Sequence, residues 1–83
     1  MHEYMVLFFT HSGAMKFKRK LKKASIPCEL MPVPRKLSSN CGVSARIAYD
    51  GGVDALVDDE IEKIYRIKED AYDLVYSEAK TSG

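Results

Sequence analysis

A continuous apolar run near the start of the chain, Tyr4 to Thr10, is the feature that most constrains the fold. It has the length of a β-strand, and its apolar side chains follow one another without alternation. Neighbouring side chains of a strand point to opposite faces of a sheet, so both faces of this strand need cover. The run therefore predicts a central strand that is buried on both sides.

A helix with one basic face is predicted directly after this strand, from Gly13 to Ala24. Its apolar residues recur at helical spacing and its other positions are mostly cationic. The apolar residues are Ala14, Phe17, Leu21 and Ala24, and the cations are Lys16, Lys18, Arg19, Lys20, Lys22 and Lys23. Ser12 is the expected N-cap, because its hydroxyl oxygen can accept from an unpaired helix N–H. Pro27 prevents the helix from continuing.

Two further strands are predicted on either side of a proline-containing loop. Cys28 to Met31 is a short strand that Pro32 and Pro34 end by removing backbone donors. Val43 to Tyr49 alternates between the two faces of a sheet, which is typical of a half-buried strand.

The last third of the chain predicts a short helix, a strand and a C-terminal helix. Val53 to Asp59 could form about two helical turns after the turn at 50–52. Glu60 to Lys68 is rich in β-branched and aromatic residues and is expected to be a strand, although a helix also fits its isoleucine spacing. Glu69 to Lys80 is expected to form an amphipathic helix.

This order of elements predicts one domain of α+β class covering all 83 residues. The expected architecture is a two-layer sandwich with about four strands and with helices on one face of the sheet. A ferredoxin-like β-α-β-β-α-β arrangement with an added C-terminal helix is the expected topology. A chain this short buries only about 60% of its extended surface and has little room for a deep pocket. A carrier or adaptor therefore suits its size better than a stand-alone enzyme.

Composition argues against several other classes of protein. No apolar run approaches the roughly 18 residues that span a bilayer, and the first residues lack the basic segment of a signal peptide, so the cytoplasm is expected. The two cysteines, Cys28 and Cys41, are too few for a disulfide scaffold and lack the spacing of a zinc site. A bridge between them would be transient in a reducing compartment. No phosphate loop or metal-ligand cluster is evident, and no cofactor is expected.

The net charge of +1 conceals an uneven distribution of charge. Residues 1–36 contain eight Lys or Arg and two Asp or Glu, whereas residues 37–83 contain five and ten. The basic helix face is a solvated surface, a docking site for an acidic protein, or a nucleic-acid site. The candidate docking residues are Lys16, Arg19, Lys20 and Lys23. A pI near 7.8 is lower than is typical of dedicated nucleic-acid binders.

The segment from Pro32 to Gly42 places Cys41 in a proline-braced, hydroxyl-rich and locally basic loop. A thiol becomes reactive where cations and N–H donors lower its pKa and solvent reaches it. Arg35 and Lys36 could supply charge, and Gly42 lets the backbone come close and take unusual dihedral angles. Candidate hydrogen-bonding side chains are Ser38, Ser39 and Asn40. By residue type alone, an inert, half-buried cysteine fits equally well.

Two other residues are candidates for an accessory role at Cys41. His11 could assist proton transfer, or it is simply a polar residue at a strand end. Arg46 could be a second cation near the thiolate, or it pairs with the acidic C-terminal half of the chain.

Several of these residues together form a recognisable pattern. Thr10-His11 lies at the end of the first predicted strand, and a Pro-x-Pro-Arg-x-x-Ser-Ser-x-Cys-Gly segment precedes the third. The region 10–46 thereby resembles the selenium/sulfur (Se/S) carrier-like family of small bacterial and archaeal domains, with a weaker likeness extending to about Lys68. The resemblance implies that Cys41 carries sulfur or selenium as a persulfide or selenosulfide. It also implies that Arg35 stabilises the anion and that Ser38 and Ser39 position the thiolate.

Three hypotheses about function follow. The first is a sulfur or selenium carrier whose donor or acceptor is a protein such as a cysteine desulfurase. The second is an interaction module that binds through the lysine-rich helix. The third is a redox sensor that uses Cys41, with or without Cys28.

Overall fold

The computed structural model describes residues 2–37 and 41–78. Along these residues the chain forms five strands, one α-helix and one short 3-10 helix. In chain order they are β1 (His2–Phe8), α1 (His11–Lys23), β2 (Cys28–Pro32), β3 (Val43–Tyr49), the 3-10 helix (Val53–Leu56), β4 (Ile61–Ile67) and β5 (Tyr72–Ser77). No helix of the described ranges has the length and hydropathy needed to cross a membrane.

All five strands join one antiparallel sheet in the order β2-β3-β1-β4-β5. The centre of the sheet is β1, whose last five residues are at most 8% exposed. The predicted central strand is therefore confirmed, although it begins and ends two residues earlier than expected. β4 confirms the predicted strand at 60–68 and excludes its helical alternative.

The first face of the sheet is covered by α1, which gives the two-layer α+β arrangement that the sequence predicts. Phe17 and Leu21 of the helix are fully buried against Val6 and Phe8 of β1. The rings of Phe8 and Phe17 lie 5.3 Å apart between centroids. Burial of each such side chain contributes about 1.5–3 kcal/mol. The apolar helix face predicted from periodicity thus forms the main core.

The second face of the sheet is covered by a loop instead of a helix. Met5, Leu7 and Ser44 are at most 3% exposed, yet they lie outside the helix-side core. Residues 33–37, here called the strap, reach across to the β4–β5 turn, where Lys36 Nζ donates to the Asp70 carbonyl oxygen at 3.3 Å. The segment that leads to Cys41 therefore also shields part of the sheet.

The predicted C-terminal helix is wrong, because Tyr72–Ser77 forms a fifth strand instead. The edge of β4 offers backbone partners to this segment, and tertiary pairing overrides its helix-like spacing. Ile64 pairs with Tyr76 and Tyr65 with Leu74, so the register shift passes over Val75 and accommodates the consecutive apolar residues Leu74 and Val75. The end of the predicted helix, residues 79–80, lies outside the described residues.

Two further expectations about topology need correction. Within residues 2–37 and 41–78 the sheet has five strands and not four. The ferredoxin-like pattern with a second crossover helix is not confirmed, because the β3–β4 connection contains only the four-residue 3-10 helix. Leu56 is the buried residue of this helix and caps one end of the core.

The start of α1 also differs from the prediction. Thr10, with extended backbone dihedral angles, is the N-cap, and its Oγ1 accepts from the Gly13 N–H at 3.0 Å. Ser12 lies inside the helix and is exposed. Both residues carry a hydroxyl group, so the local sequence did not distinguish them.

Candidate functional site

Cys41 lies at the corner of the sheet where β2 ends and β3 begins. Val43 pairs with Pro32, and the Gly42 carbonyl oxygen accepts from the Val33 N–H at 3.3 Å. Because β1 and β3 are antiparallel, with Leu7 opposite Ser44, the end of β1 lies at this same corner. The start of α1 and the residues that follow Cys41 are therefore neighbours in space.

The Cys41 thiol is partly buried and has a defined hydrogen-bond acceptor. Its Sγ donates to the Val43 carbonyl oxygen at 3.2 Å, and its side chain packs against the helix-side core. A carbonyl oxygen can only accept, so this bond exists while the sulfur holds its proton. A thiolate at Cys41 would have to turn away from Val43, towards another donor or solvent.

Gly42 has an unusual backbone dihedral angle at this corner. Its φ is +72°, in the left-handed region that residues with a Cβ adopt at a cost. A Cβ placed there would meet nothing within 4 Å. The glycine therefore serves the unusual backbone conformation that the sequence predicts, whereas the predicted close approach of the backbone is not found.

An apolar groove of about 310 Å³ opens beside Cys41, between the first turns of α1 and the end of β2. We call it the His11–Gly42 groove. Its lining includes His11, Met15, Leu30, Pro32, Gly42 and Val43. The structure thus places the exposed His11 in the same groove as the residues that directly follow Cys41. Sequence reasoning had no means of showing this proximity.

Cys28 occupies the opposite end of β2. It pairs with Ile47, four residues along β3 from Val43, which corresponds to about 13 Å. A disulfide requires Cα atoms within about 7 Å, and neither Cys28 nor Cys41 forms one. Burial raises the pKa of the Cys28 thiol, and the positive charge of Lys18 partly opposes this. Cys28 is therefore a partly buried thiol with a raised pKa, remote from the corner.

The strap cations lie against the far side of the sheet. Arg35 and Lys36 line a cleft of about 330 Å³ with residues 67–72 of the β4–β5 turn. Lys36 donates to Asp70 there, and Arg35 is exposed. Ser38, Ser39 and Asn40 lie outside the described residues. Their roles, and that of Arg35 at the sulfur, stay predictions.

Arg46 is engaged in an ion pair within the N-terminal half of the chain. Its Nη2 and Nε lie 2.6 and 2.8 Å from Glu3 Oε1. It was expected either beside the thiolate or paired with the acidic C-terminal half. The structure instead gives it a partner on β1.

Glu60 is a residue that sequence reasoning missed. Thr10 Oγ1 donates to Glu60 Oε2 at 2.9 Å, and the Phe9 N–H donates to the Glu60 carbonyl oxygen at 3.0 Å. A Cβ on Gly13 would lie 2.5 Å from the Glu60 Cβ, so the glycine makes room for this residue. Fifty residues separate Thr10 from Glu60, and no local pattern indicates the pair. Thr10 therefore has a clear structural role in holding the start of α1.

Comparison with known proteins now identifies the family. The chain matches the family model described as "Putative Se/S carrier protein-like" over residues 3–66. It belongs to this family. The match includes both Thr10-His11 and Cys41-Gly42, and it ends within β4. No curated protein and no solved structure matches the chain.

In this member of the Se/S carrier-like family, β5 lies beyond the matched region and covers the edge of β4. The residues that follow the 3-10 helix and the end of β5 contribute to an acidic cleft lined by Val57, Asp58, Asp59, Tyr76 and Glu78. Local desolvation, the hydrogen bond that Tyr76 donates to Glu78, and the surrounding carboxylates together raise the pKa of Tyr76.

α1 carries the basic face that the sequence predicts. Lys20 Nζ donates to the Leu56 carbonyl oxygen at 3.1 Å and lies 3.9 Å from Asp58 Oδ2. The other predicted docking residues, Lys16, Arg19 and Lys23, are exposed and have no ion pair within the described residues. Of the predicted docking residues, these three keep their charges available to a partner.

Proposed function

We propose that the protein is a thiol carrier that accepts sulfur or selenium on Cys41 and passes it on. Membership of the Se/S carrier-like family supports this function. The observation that carries the proposal is the position of the partly buried Cys41 directly before Gly42, which lines a groove together with the exposed imidazole of His11. A small domain can perform this task because the partner supplies the rest of the chemistry.

The transfer needs no external oxidant. The Cys41 thiolate attacks the outer sulfur of a donor persulfide R–S–SH, the S–S bond of the donor breaks, and R–S⁻ leaves. Cys41 then carries a persulfide. An acceptor thiolate attacks that outer sulfur and releases Cys41 as a thiolate. With selenium the outer atom is selenium and the same bonds form and break.

His11 has a specific part in this proposal. The Cys41 proton must leave before attack, and the leaving thiolate gains from receiving one. An imidazole nitrogen can accept a proton and return it. His11 is the imidazole at this corner, and we assign it that role.

A sensor that forms a Cys28–Cys41 disulfide is less well supported. The two thiols occupy opposite ends of β2 and would need backbone movement to meet. The carrier needs only Cys41, a protein donor and a protein acceptor. A cysteine desulfurase is one suitable donor, and the reducing cytoplasm is the expected compartment.

Intact mass spectrometry tests the function. We expect the protein, incubated with a cysteine desulfurase and cysteine, to gain the mass of one or more sulfur atoms and to lose it on treatment with dithiothreitol. Cys28→Ser should load like the wild type and Cys41→Ser should not load. Because both cysteines are partly buried, the two variants are a matched pair. Loading on Cys28, or none above a control without desulfurase, would refute the proposal.

A further inference from the structure

We propose that the His11–Gly42 groove and the cations next to it on α1 form a docking surface for an acidic protein partner. An apolar side chain near the partner's reactive cysteine would enter the groove and bring the two sulfur atoms together. The inference rests on the proposed carrier function, and it names the chemistry of the partner that the carrier recognises.

The first argument is the character and the position of the groove. Its walls are mainly apolar, and Met15, on one rim, is 50% exposed. The other large exposed hydrophobic side chains of the described residues are Leu74 and Val75, on β5 at the far edge of the sheet. Met15 is thus an exposed apolar residue at the corner of Cys41. A side chain buried beside it would anchor an incoming segment next to the thiol.

The second argument is charge. Lys18 and Arg19 follow Met15 by three and four residues, so they lie next to it on the helix surface. Both are exposed, and neither has an ion pair within the described residues. Lys20, by contrast, points to the other side of α1, where Leu56 and Asp58 engage it. The available cations therefore flank the groove, and they would attract carboxylates on a partner.

These two arguments favour an acidic protein over other occupants. A second copy placed symmetrically on this surface would oppose Lys18 and Arg19 with the same cations. A single-stranded nucleic acid would use the cations, but its bases stack on aromatic rings, and among the described residues His11 alone brings an aromatic ring to the groove. An acidic segment with an aliphatic side chain uses both features.

Peptide binding tests the surface without requiring sulfur transfer. The probe is a fluorescein-labelled peptide with serine in place of the reactive cysteine, an adjacent leucine and several flanking glutamates. One comparison peptide replaces leucine with serine, and another replaces the glutamates with lysines. We expect fluorescence anisotropy to show that the first peptide binds at least about tenfold more tightly than either, since burial of one leucine and charge attraction each have effects of that order.

Two protein variants locate the binding. Met15→Glu places a carboxylate on the rim and should weaken binding of the acidic peptide by about tenfold or more. Leu74→Glu makes the same change at a comparably exposed residue, 54% against 50%, and should leave binding unchanged. Equal effects of the two variants, or equal binding of acidic and lysine peptides, would overturn the docking proposal. A dimer in sedimentation that Met15→Glu dissociates would also overturn it, because the groove would then serve a second copy.

A parallel transfer experiment separates failure of docking from failure of function. Glutathione persulfide is a small donor that needs no docking surface, so it should load wild type and Leu74→Glu alike. If it loads neither protein at Cys41, the carrier function fails while the peptide-binding result still decides the docking surface. If it loads both but the acidic peptide does not bind, the docking surface alone fails.

Discussion

The hydroxyl group of Thr10 makes two hydrogen bonds that join distant parts of the chain. It donates to Glu60 Oε2 at 2.9 Å and accepts from the Gly13 N–H at 3.0 Å. The start of α1 is thereby held against the residue that precedes β4. His11 follows Thr10 directly, so the same bonds also hold the residue that lines the groove beside Cys41.

Replacement of Thr10 by valine should destabilise the fold by about 1–2 kcal/mol, because the Gly13 N–H loses its cap and Glu60 loses its donor. Urea unfolding measures this change. Ser12→Ala is the matched control: this hydroxyl lies within the helix and is exposed, so its loss should change stability by less than about 0.5 kcal/mol. A larger effect at Ser12 than at Thr10 would contradict the assignment of the cap.

Gly42→Ala should cost about 1–2 kcal/mol, because alanine is strained at a φ of +72°. The control is Gly52→Ala, at φ −71° and with nothing within 4 Å of a new Cβ. That change should be neutral or stabilising by up to about 1 kcal/mol. Thermal and urea unfolding of the two variants provide the comparison, and equal effects would exclude a special conformation at Gly42.

Ser25→Gly should stabilise the protein by about 0.5–1 kcal/mol. Ser25 follows the helix with a φ of 59°, and its N–H donates to the Lys22 carbonyl oxygen while that of Ile26 donates to Leu21. This is a Schellman ending, in which glycine is the preferred residue. Ser12→Gly should instead lower stability, because glycine weakens a helix. Melting temperatures that move in the same direction would contradict this prediction.

Cys41 should react with iodoacetamide faster than Cys28 at neutral pH. Burial raises the pKa of the Cys28 thiol above its ordinary value of 9.0, so little of it is thiolate at neutral pH. Mass spectrometry of Cys28→Ser and Cys41→Ser over a time course measures each thiol separately. Faster labelling of Cys28 would count against the carrier assignment.

The raised pKa of Cys28 also has a consequence for stability. In the unfolded chain this thiol loses its proton at a lower pH than in the folded protein. Its contribution to the free energy of unfolding is therefore complete below pH 9.0 and declines as the pH rises above that value. Urea unfolding at several alkaline pH values should show a shallower decline in Cys28→Ser than in the wild type.

Arg46→Gln should leave sulfur loading of Cys41 unchanged, because Arg46 is paired with Glu3. Both side chains are nearly half exposed, so the loss of stability should stay below about 1 kcal/mol.

Arg35→Gln removes a cation of the family motif, which we propose stabilises the sulfur anion. A charge contact of this kind is worth roughly 1–4 kcal/mol, so the rate of sulfur loading should fall by about tenfold. Equal loading rates of Arg35→Gln and Arg46→Gln would remove Arg35 from the site.

The pattern of apolar residues was sufficient to predict those elements whose burial shows in their own sequence. β1 was predicted from uninterrupted apolar residues, α1 from the spacing of Phe17 and Leu21, and β3 from its alternation. β5 was missed because its sequence does not alternate. Leu74 and Val75 are consecutive apolar residues, and a register shift against β4 accommodates them. The motif alone was enough to select Cys41 as the candidate carrier residue.

By itself, the sequence determined the central strand, the basic helix, the Cys-Gly corner and membership of the Se/S carrier-like family. Only the tertiary structure decided that His11 shares a groove with Gly42, that Arg46 forms an ion pair with Glu3, and that the strap shields part of the second face of the sheet. The physical reason is that side-chain pattern reports whether a residue is buried or exposed. Which distant residues meet depends on strand order and register, which arise when backbone groups of separate segments pair across the sheet.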